Sequence, residues 1–569
     1  MLFVAAALSA LSALAPRSLT AQTTQPAASP ATATIAPTIT PARVSSVVYP
    51  TSDVSDRIRL AQLAGDTAYL DSYLLRSPSI MARRARKGGA ARPTLSLLAP
   101  TEEIIVNSAL PFSLNDGALW AGRGLNVRAT AGLQGWHGRL HWVLAPELDF
   151  SPNAKFAPNP HPDIFFTPQV PPDRYEDGFA DPWYAVPYSA DVPWRFGKDP
   201  LLHIAGGQTG AWYDTGPVEV GVTSENMWWG PGIRNAIVMS DNASGVPRIE
   251  LRTPRPWRTR IGAFNARWFV GALTESQYFD STQANDVRSL AAAAVTWQPS
   301  FQPSLTLGVT RAVFATASGY GDVPLRWLDV FANTGHPADR ALSDSSLYPG
   351  GKDQLISLFG RWIFPADGFE VYTEWARQEL PKSLHDFILS PSQSHGYTLG
   401  LQYRKPAPLT SSTIRVQAEA TTLEQSPTFA NRPVGSFYTS RRVIQGYTEK
   451  GQPIGAAIGP GSSSEWIAVD RVSPGGSLGV TFTRIRWNED VRSTYNFPAY
   501  VGYCNHDVSI LPGVRGGKTV PGGYLSGNLI VGTRFNAFFH NQSGCPHGGA
   551  FNVDVHTTTV SLSFTPFAQ

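Results

Sequence analysis

The residues best suited to chemistry fall within 224–242, SENMWWGPGIRNAIVMSDN, in a chain of 569 residues. Trp228 and Trp229 stand before a Gly230-Pro231-Gly232 turn, which can hold neighbouring polar side chains at a fixed angle. Flat indole faces stack on the C–H faces of sugar rings, and Glu225, Asn226, Arg234, Asn235 and Asp241 are the groups that would bond hydroxyls or acidic substituents. The same residues also suit a loop folded into a barrel and packed by its own tryptophans, returning through a short apolar strand over 236–239. Composition alone favours the packed loop.

A second irregular segment, 446–461, reads GYTEKGQPIGAAIGPG and carries Tyr447 and Glu449. Five Gly and two Pro in sixteen residues make it a loop. It matches neither the P-loop nor the dinucleotide spacing, so nucleotide binding is not expected. Glu370 and Glu374 share one face of a strand, as an acid–base pair would, but charged ladders inside barrels do the same. No H-E-x-x-H occurs and the eleven His do not fall into ligand spacing, so neither a metal nor another cofactor is implied. A net charge of +3 is too small and diffuse for a nucleic-acid partner.

The elements that must position these residues are strands. Gly 51, Pro 47, 16 Trp and only 16% charged residues describe a turn-rich chain whose apolar surface leans on aromatics. Mean hydropathy is −0.14, and beyond the first fifteen residues no run approaches the ~20 apolar residues of a spanning helix. A barrel strand shows the bilayer only every second residue, so that absence leaves a membrane barrel open. From about residue 100 the apolar period is two. Ile414, Val416, Ala418 and Ala420 alternate with Arg415, Gln417, Glu419 and Thr421; Phe369, Val371 and Trp375 with Glu370 and Glu374; and Tyr397, Leu399, Leu401 and Tyr403 with Thr398, Gln402 and Arg404. The charged set is expected inside. Trp142, Trp268, Trp362, Trp375 and Tyr403 near strand ends suit an aromatic girdle, which favours a barrel over a sandwich. The last strand, with Val560, Leu562 and Phe564 on one face, closes on Phe567. At ~10 residues per strand, the chain from Asn107 onward supplies about 16 to 18 strands.

Upstream, residues 1–21 read as an export signal, MLFVAAALSALSALA followed by a polar break, with cleavage expected after Ala21. Residues 22–43 read as a disordered Pro/Ala/Thr linker. Residues 44–100 read as a helical segment and 101–569 as the barrel. In the helical segment, Ser55 is the expected cap of a helix bearing Ile58, Leu60 and Leu63 that stops at Gly65. Asp66 would cap a second helix, and Ser77-Pro78 would open a third, closed by Gly88 and Gly89. The basic run Arg83, Arg84, Arg86 and Lys87 reads as a solvated face. Cys504 and Cys545 are the only cysteines, and a structural disulfide between neighbouring loops fits them better than a catalytic thiol.

Three segments carry a resemblance: WWGPG with its following RNAIVMSDNASGVP, NSALPFSLNDGALWAGRG at 107–124, and GYTEKGQPIGAAIGPG. In order and rough spacing, from about Val44 to the end, the chain resembles the Wzi-type capsule assembly family of bacterial outer-membrane proteins. The resemblance implies an all-β transmembrane barrel of 18 antiparallel strands with a small N-terminal α-helical bundle at its periplasmic end. It also implies a lectin-like, non-enzymatic role at the cell surface, in which a monomer surrounded by outer-membrane lipid, delivered by the barrel assembly machinery, holds capsular or exopolysaccharide. Two positions depart from the family pattern: Glu449 stands where His is common, and Gly-Pro-Gly runs into Ser462–Ser464. An oligosaccharide-selective channel and a barrel hydrolase are the competing expectations.

Overall fold

The computed structural model describes residues 47–65, 74–85, 93–157, 189–279, 285–332, 334, 351–381, 383–407, 411–426, 434–490, 506–539 and 553–566. The expected signal and linker, the helix expected from Asp66, the glycines and basic residues at 86–89, both cysteines and Phe567 lie outside them.

Eighteen antiparallel strands close into one barrel. In chain order they are β1 Ser96–Asn107, β2 Gly124–His137, β3 Leu140–Leu144 with Glu147–Ser151, and β4 Leu201–Ala205 with Gly210–Asp214. There follow β5 Glu219–Thr223, β6 Arg248–Arg252 with Trp257–Thr259, β7 Gly262–Thr274, β8 Val287–Pro299 and β9 Leu305–Thr316. The second half comprises β10 Lys352–Phe364, β11 Phe369–Arg377, β12 His395–Pro406, β13 Thr413–Thr422 and β14 Ser463–Ser473. The last four are β15 Gly476–Trp487, β16 Asp507–Val520, β17 Gly523–Phe535 and β18 Val555–Pro566. Each strand pairs with its chain neighbours, and β18 returns to β1 in the register Glu102↔Phe564 to Asn107↔Thr559. Closure leaves no edge of unpaired backbone groups to face lipid.

The burial pattern is inverted relative to a soluble protein. Ile204 is 73% exposed, Val222 63% and Leu478 65%, whereas Arg415, Gln417, Glu419 and Thr421 are buried in the alternate positions of their strand. The charged face of each strand therefore points inward, and the apolar face forms the outer wall that hydrocarbon covers. Aromatic side chains sit on this wall near the strand ends, including Trp257, Trp362, Tyr397 and Tyr403. Tight turns such as those at 138–139, 474–475 and 521–522 connect strands at one end, and long connections such as 224–247 at the other. In outer-membrane barrels the short turns are periplasmic and the long loops extracellular.

Helix α1, Asp53–Leu63, lies inside the barrel at the short-turn end. Its cap is Ser52, not the expected Ser55: the Ser52 hydroxyl accepts from the Ser55 amide, and the helix ends before Gly65 at φ +89°. A helix start needs an acceptor that precedes the first turn, and Ser55 is already within it. Helix α2, Pro78–Ala85, opens on the expected proline. Asp53 to Leu63 carries several buried charges, because this helix packs against a polar lumen instead of an apolar core. Arg57 reaches Tyr524, Arg59 pairs with Glu370 at 2.6 Å, Asp56 with Arg415 at 3.0 Å, and Gln62 accepts from Arg361 at 2.6 Å.

Candidate functional site

The loop 224–247 and the segment 434–462 fold inward and fill the lumen above α1. Glu419, on the inner face of β13, accepts from the amides of Ile233, Arg234 and Asn235, gathering the Gly-Pro-Gly turn around one carboxylate. The Tyr438 and Tyr447 hydroxyls donate to the carbonyls of Ile237 (2.6 Å) and Val238 (2.9 Å), so the second loop pins the first. These apolar residues and their neighbours form the main buried cluster, with Trp229, Phe269, Leu290 and Phe314 among them. The strand expected over 236–239 is reduced to a single bridge between Met239 and Trp229, because side chains of other elements take its backbone groups, such as Glu374 at the Ile237 amide.

The sequence-selected residues fall largely inside this packing. Trp228 and Trp229 are 0% exposed; the Trp228 indole donates to the Gly232 carbonyl, the Arg76 guanidinium lies 5.1 Å over its ring, and Trp229 meets Phe269 edge-on. Glu225 accepts from the Ser79 amide and hydroxyl and pairs with Arg252, tying α2 to the wall. Asn226 bonds Gln208 and the Ala243 carbonyl, and Asn235 donates to Ser464. Asp241 accepts from Thr51, and burial pushes its carboxyl up to about 8 against the pull of Arg128. Glu449 accepts from the Thr274 amide and hydroxyl, and burial pushes it up to about 7. Of the nine, Arg234 alone is partly exposed; its side chain lines a cavity.

Glu370 and Glu374 do not form an acid pair. Tyr372 stands between them on the inner face, Glu370 is engaged by Arg59 and Arg361, and Glu374 accepts from the Ile237 amide. A nucleophile-elbow spacing, G-x-S-x-G, does occur at Gly475–Gly479, but Ser477 begins a strand after a hairpin turn instead of heading a helix, the context that motif requires.

Open space lies at the long-loop end, on either side of Trp120. One cavity of about 220 Å³ is lined by Phe112, Trp120, Trp194, Trp487, Phe538 and Arg534. The other, of about 390 Å³, is lined by Trp120, Asp149, Phe196, His203, Tyr278 and Lys450. The aromatic rings brace one another: Trp194 lies 4.3 Å from Phe538, and Trp120 meets Phe196 edge-on at 5.2 Å. Trp487 is oriented by its bond to Ser509, and Arg534 by its pair with Asp507. Trp120, Trp194 and Trp487 are only partly buried, unlike the Trp228 pair. Asp149 is 4% exposed, and neither carboxylate oxygen has a hydrogen-bond partner among the described residues. Such a group is costly to bury unless something bonds it. Phe112, Trp120 and Lys450 lie in segments the sequence singled out, but no shared spacing links the set: the residues come from five loops and four strands, and only their convergence in space makes a site.

Residues 211–469 match the family model described as Capsule assembly protein Wzi. None of the curated proteins matches the sequence. Among solved structures, the chain is similar to Escherichia coli Wzi, described as a carbohydrate-binding β-barrel involved in group 1 capsule assembly. The identity is 11%, the TM-score is 0.52, and 94% of this chain and 96% of that one are covered. Acinetobacter baumannii OccAB3 (9% identity, TM-score 0.36, 82% and 97% covered) and Pseudomonas putida OprB (12%, 0.33, 83% and 94%) are more distant in fold. Over β4 to β14, with both infolded loops, the chain is similar to the Wzi-type capsule assembly family, and the whole barrel follows the fold of Wzi.

Proposed function

We propose that this protein holds exported capsular or exopolysaccharide at the outer surface by binding it, without chemistry on it, at the paired cavities around Trp120. The observation that carries this reading is the combination, at the long-loop end, of partly exposed indole faces with the Asp149 carboxylate, which has no hydrogen-bond partner among the described residues. Rings offer a stacking surface for sugar C–H faces, and a buried carboxylate accepts two hydroxyls with strong, directional bonds. The relative named Wzi is described as carbohydrate-binding, which supports the same use here.

The lumen argues for retention over conduction. Two helices and two loops fill it, and their charges are spent on one another: Arg59 on Glu370, Arg252 on Glu219 and Glu225, Arg415 on Asp56 and Asp470. A sugar slide needs such groups free along a continuous path.

The test is the double variant Trp120→Ala with Trp194→Ala in the native host. It is expected to assemble as a heat-modifiable barrel at normal abundance while polysaccharide shifts to the medium. Unchanged retention with a normally assembled barrel would remove the aromatic cavities from the function.

A further inference from the structure

Beneath the outer cavities, a third cavity of about 250 Å³ lies between α1, the Gly-Pro-Gly turn and the inner faces of β1, β2 and β16–β18. Its wall shares Phe112 and Leu114 with the aromatic cavity nearer the surface, so the two abut. Arg234 projects from the infolded turn, held by its own amide on Glu419 and by its carbonyl, which accepts from the Asn115 side chain at 2.9 Å. Its guanidinium lies 5.6 Å over the Trp466 ring, where Arg515 also lies at 5.2 Å.

Three of the neighbouring cations are matched. Arg515 pairs with Asp470 at 2.6 Å, Arg128 with Glu103, and Arg59 with Glu370. Arg234 has no carboxylate within ion-pair distance among the described residues, and burial together with the like charge of Arg515 holds its pKa below the ordinary guanidinium value. Two side-chain carbonyl oxygens of the same wall, on Asn115 and Asn528, are buried without a donor among the described residues. The cavity thus offers a fork of N–H donors that lacks an anion and two acceptors that lack hydroxyls.

A group that satisfies all three is a sugar ring bearing a carboxylate: the planar acid matches a guanidinium through two parallel bonds, and ring hydroxyls donate to the amides. We infer that Arg234, Asn115 and Asn528 form a subsite for one acidic sugar unit of the polysaccharide, entered from the aromatic cavity past Phe112 and Leu114. This rests on the retention reading above and adds the charge of the ligand to it. Glu419, Asp56 and Asp116 attract the Arg234 guanidinium only from beyond ion-pair distance, so a neutral glycan would leave it without a direct anion and the subsite selects for acidic polymers.

The experiment uses the full-length barrel purified in detergent and two probes: a glucuronate-containing tetrasaccharide, and the same tetrasaccharide with its carboxylates reduced to alcohols. Binding is read by calorimetry and by tryptophan fluorescence. The wild type is expected to prefer the acidic form by roughly tenfold, a typical return for one charge-assisted contact. Arg234→Gln should bind both forms equally, at the affinity of the reduced one, and Arg234→Lys should keep part of the preference. Trp120→Ala should weaken both forms alike. Equal binding of the two forms by the wild type, or a preference that survives in Arg234→Gln, would overturn the subsite while leaving glycan retention standing. Binding of neither form would overturn both.

Discussion

Arg59 and Glu370 meet at 2.6 Å with both side chains essentially sealed from solvent, and the same guanidinium donates to the Pro231 carbonyl at 2.6 Å. One side chain therefore joins α1, the wall strand β11 and the infolded Gly-Pro-Gly turn. Removing one partner of a buried pair costs about 3–5 kcal/mol, because the other charge stays behind unpaired. Glu370→Ala is expected to loosen α1 without preventing barrel closure. Limited proteolysis should then cut within 53–63, and planar-bilayer recordings should show current steps that the wild type lacks.

The hydroxyls of Tyr438 and Tyr447 reach backbone carbonyls of the first loop that no strand ladder serves. Tyr438→Phe leaves the Ile237 carbonyl buried and short of a donor, a cost of about 1–3 kcal/mol. A fall of the thermal midpoint in detergent, with the strand content unchanged by circular dichroism, is the expected result.

Loop packing should weaken as pH rises. The Asp241 carboxyl, pushed up to about 8 by burial, and Glu449, pushed up to about 7, both bind protons in the folded state that the unfolded chain releases near pH 4. The folded state then holds more protons between those limits, so their contribution is complete below about pH 4 and is lost as pH climbs through 7 to 8. Thermal midpoints measured from pH 5 to pH 9 should fall, and Asp241→Asn should flatten the upper part of that slope. A midpoint that rises across this range would contradict the assignment.

The two classes of tryptophan should separate in the laboratory. Trp228→Ala empties a fully buried site and is expected to cost about 3–5 kcal/mol, so any loss of retention should come with a lower thermal midpoint. Trp194→Ala truncates a partly exposed ring and should weaken glycan binding several-fold while the midpoint stays near that of the wild type.

The barrel was legible because its outer wall meets hydrocarbon: Ile414, Val416, Ala418 and Ala420 had to alternate with Arg415, Gln417 and Glu419, and a two-residue period survives in any strand with two unlike faces. The helix at Asp53–Leu63 was legible from its apolar positions, but its cap, Ser52, lies three residues before the expected Ser55, since the two serines are chemically alike and only backbone geometry separates them. The site was far less legible. An indole that stacks on a sugar and an indole that packs under a loop are the same residue beside the same glycine turn, so Trp228 could not declare its burial. Trp120, Trp194 and Trp487 are separated by long stretches of chain and carry no shared spacing; the closed barrel alone brings them together.

The most direct measurement is the ratio of released to cell-attached surface polysaccharide in cells with and without this gene, with total polysaccharide quantified alongside. Retention by this barrel predicts a shift to the released fraction at constant total, restored by the wild-type gene. An unchanged ratio, with the barrel present and folded in the complemented cells, would contradict a retention role.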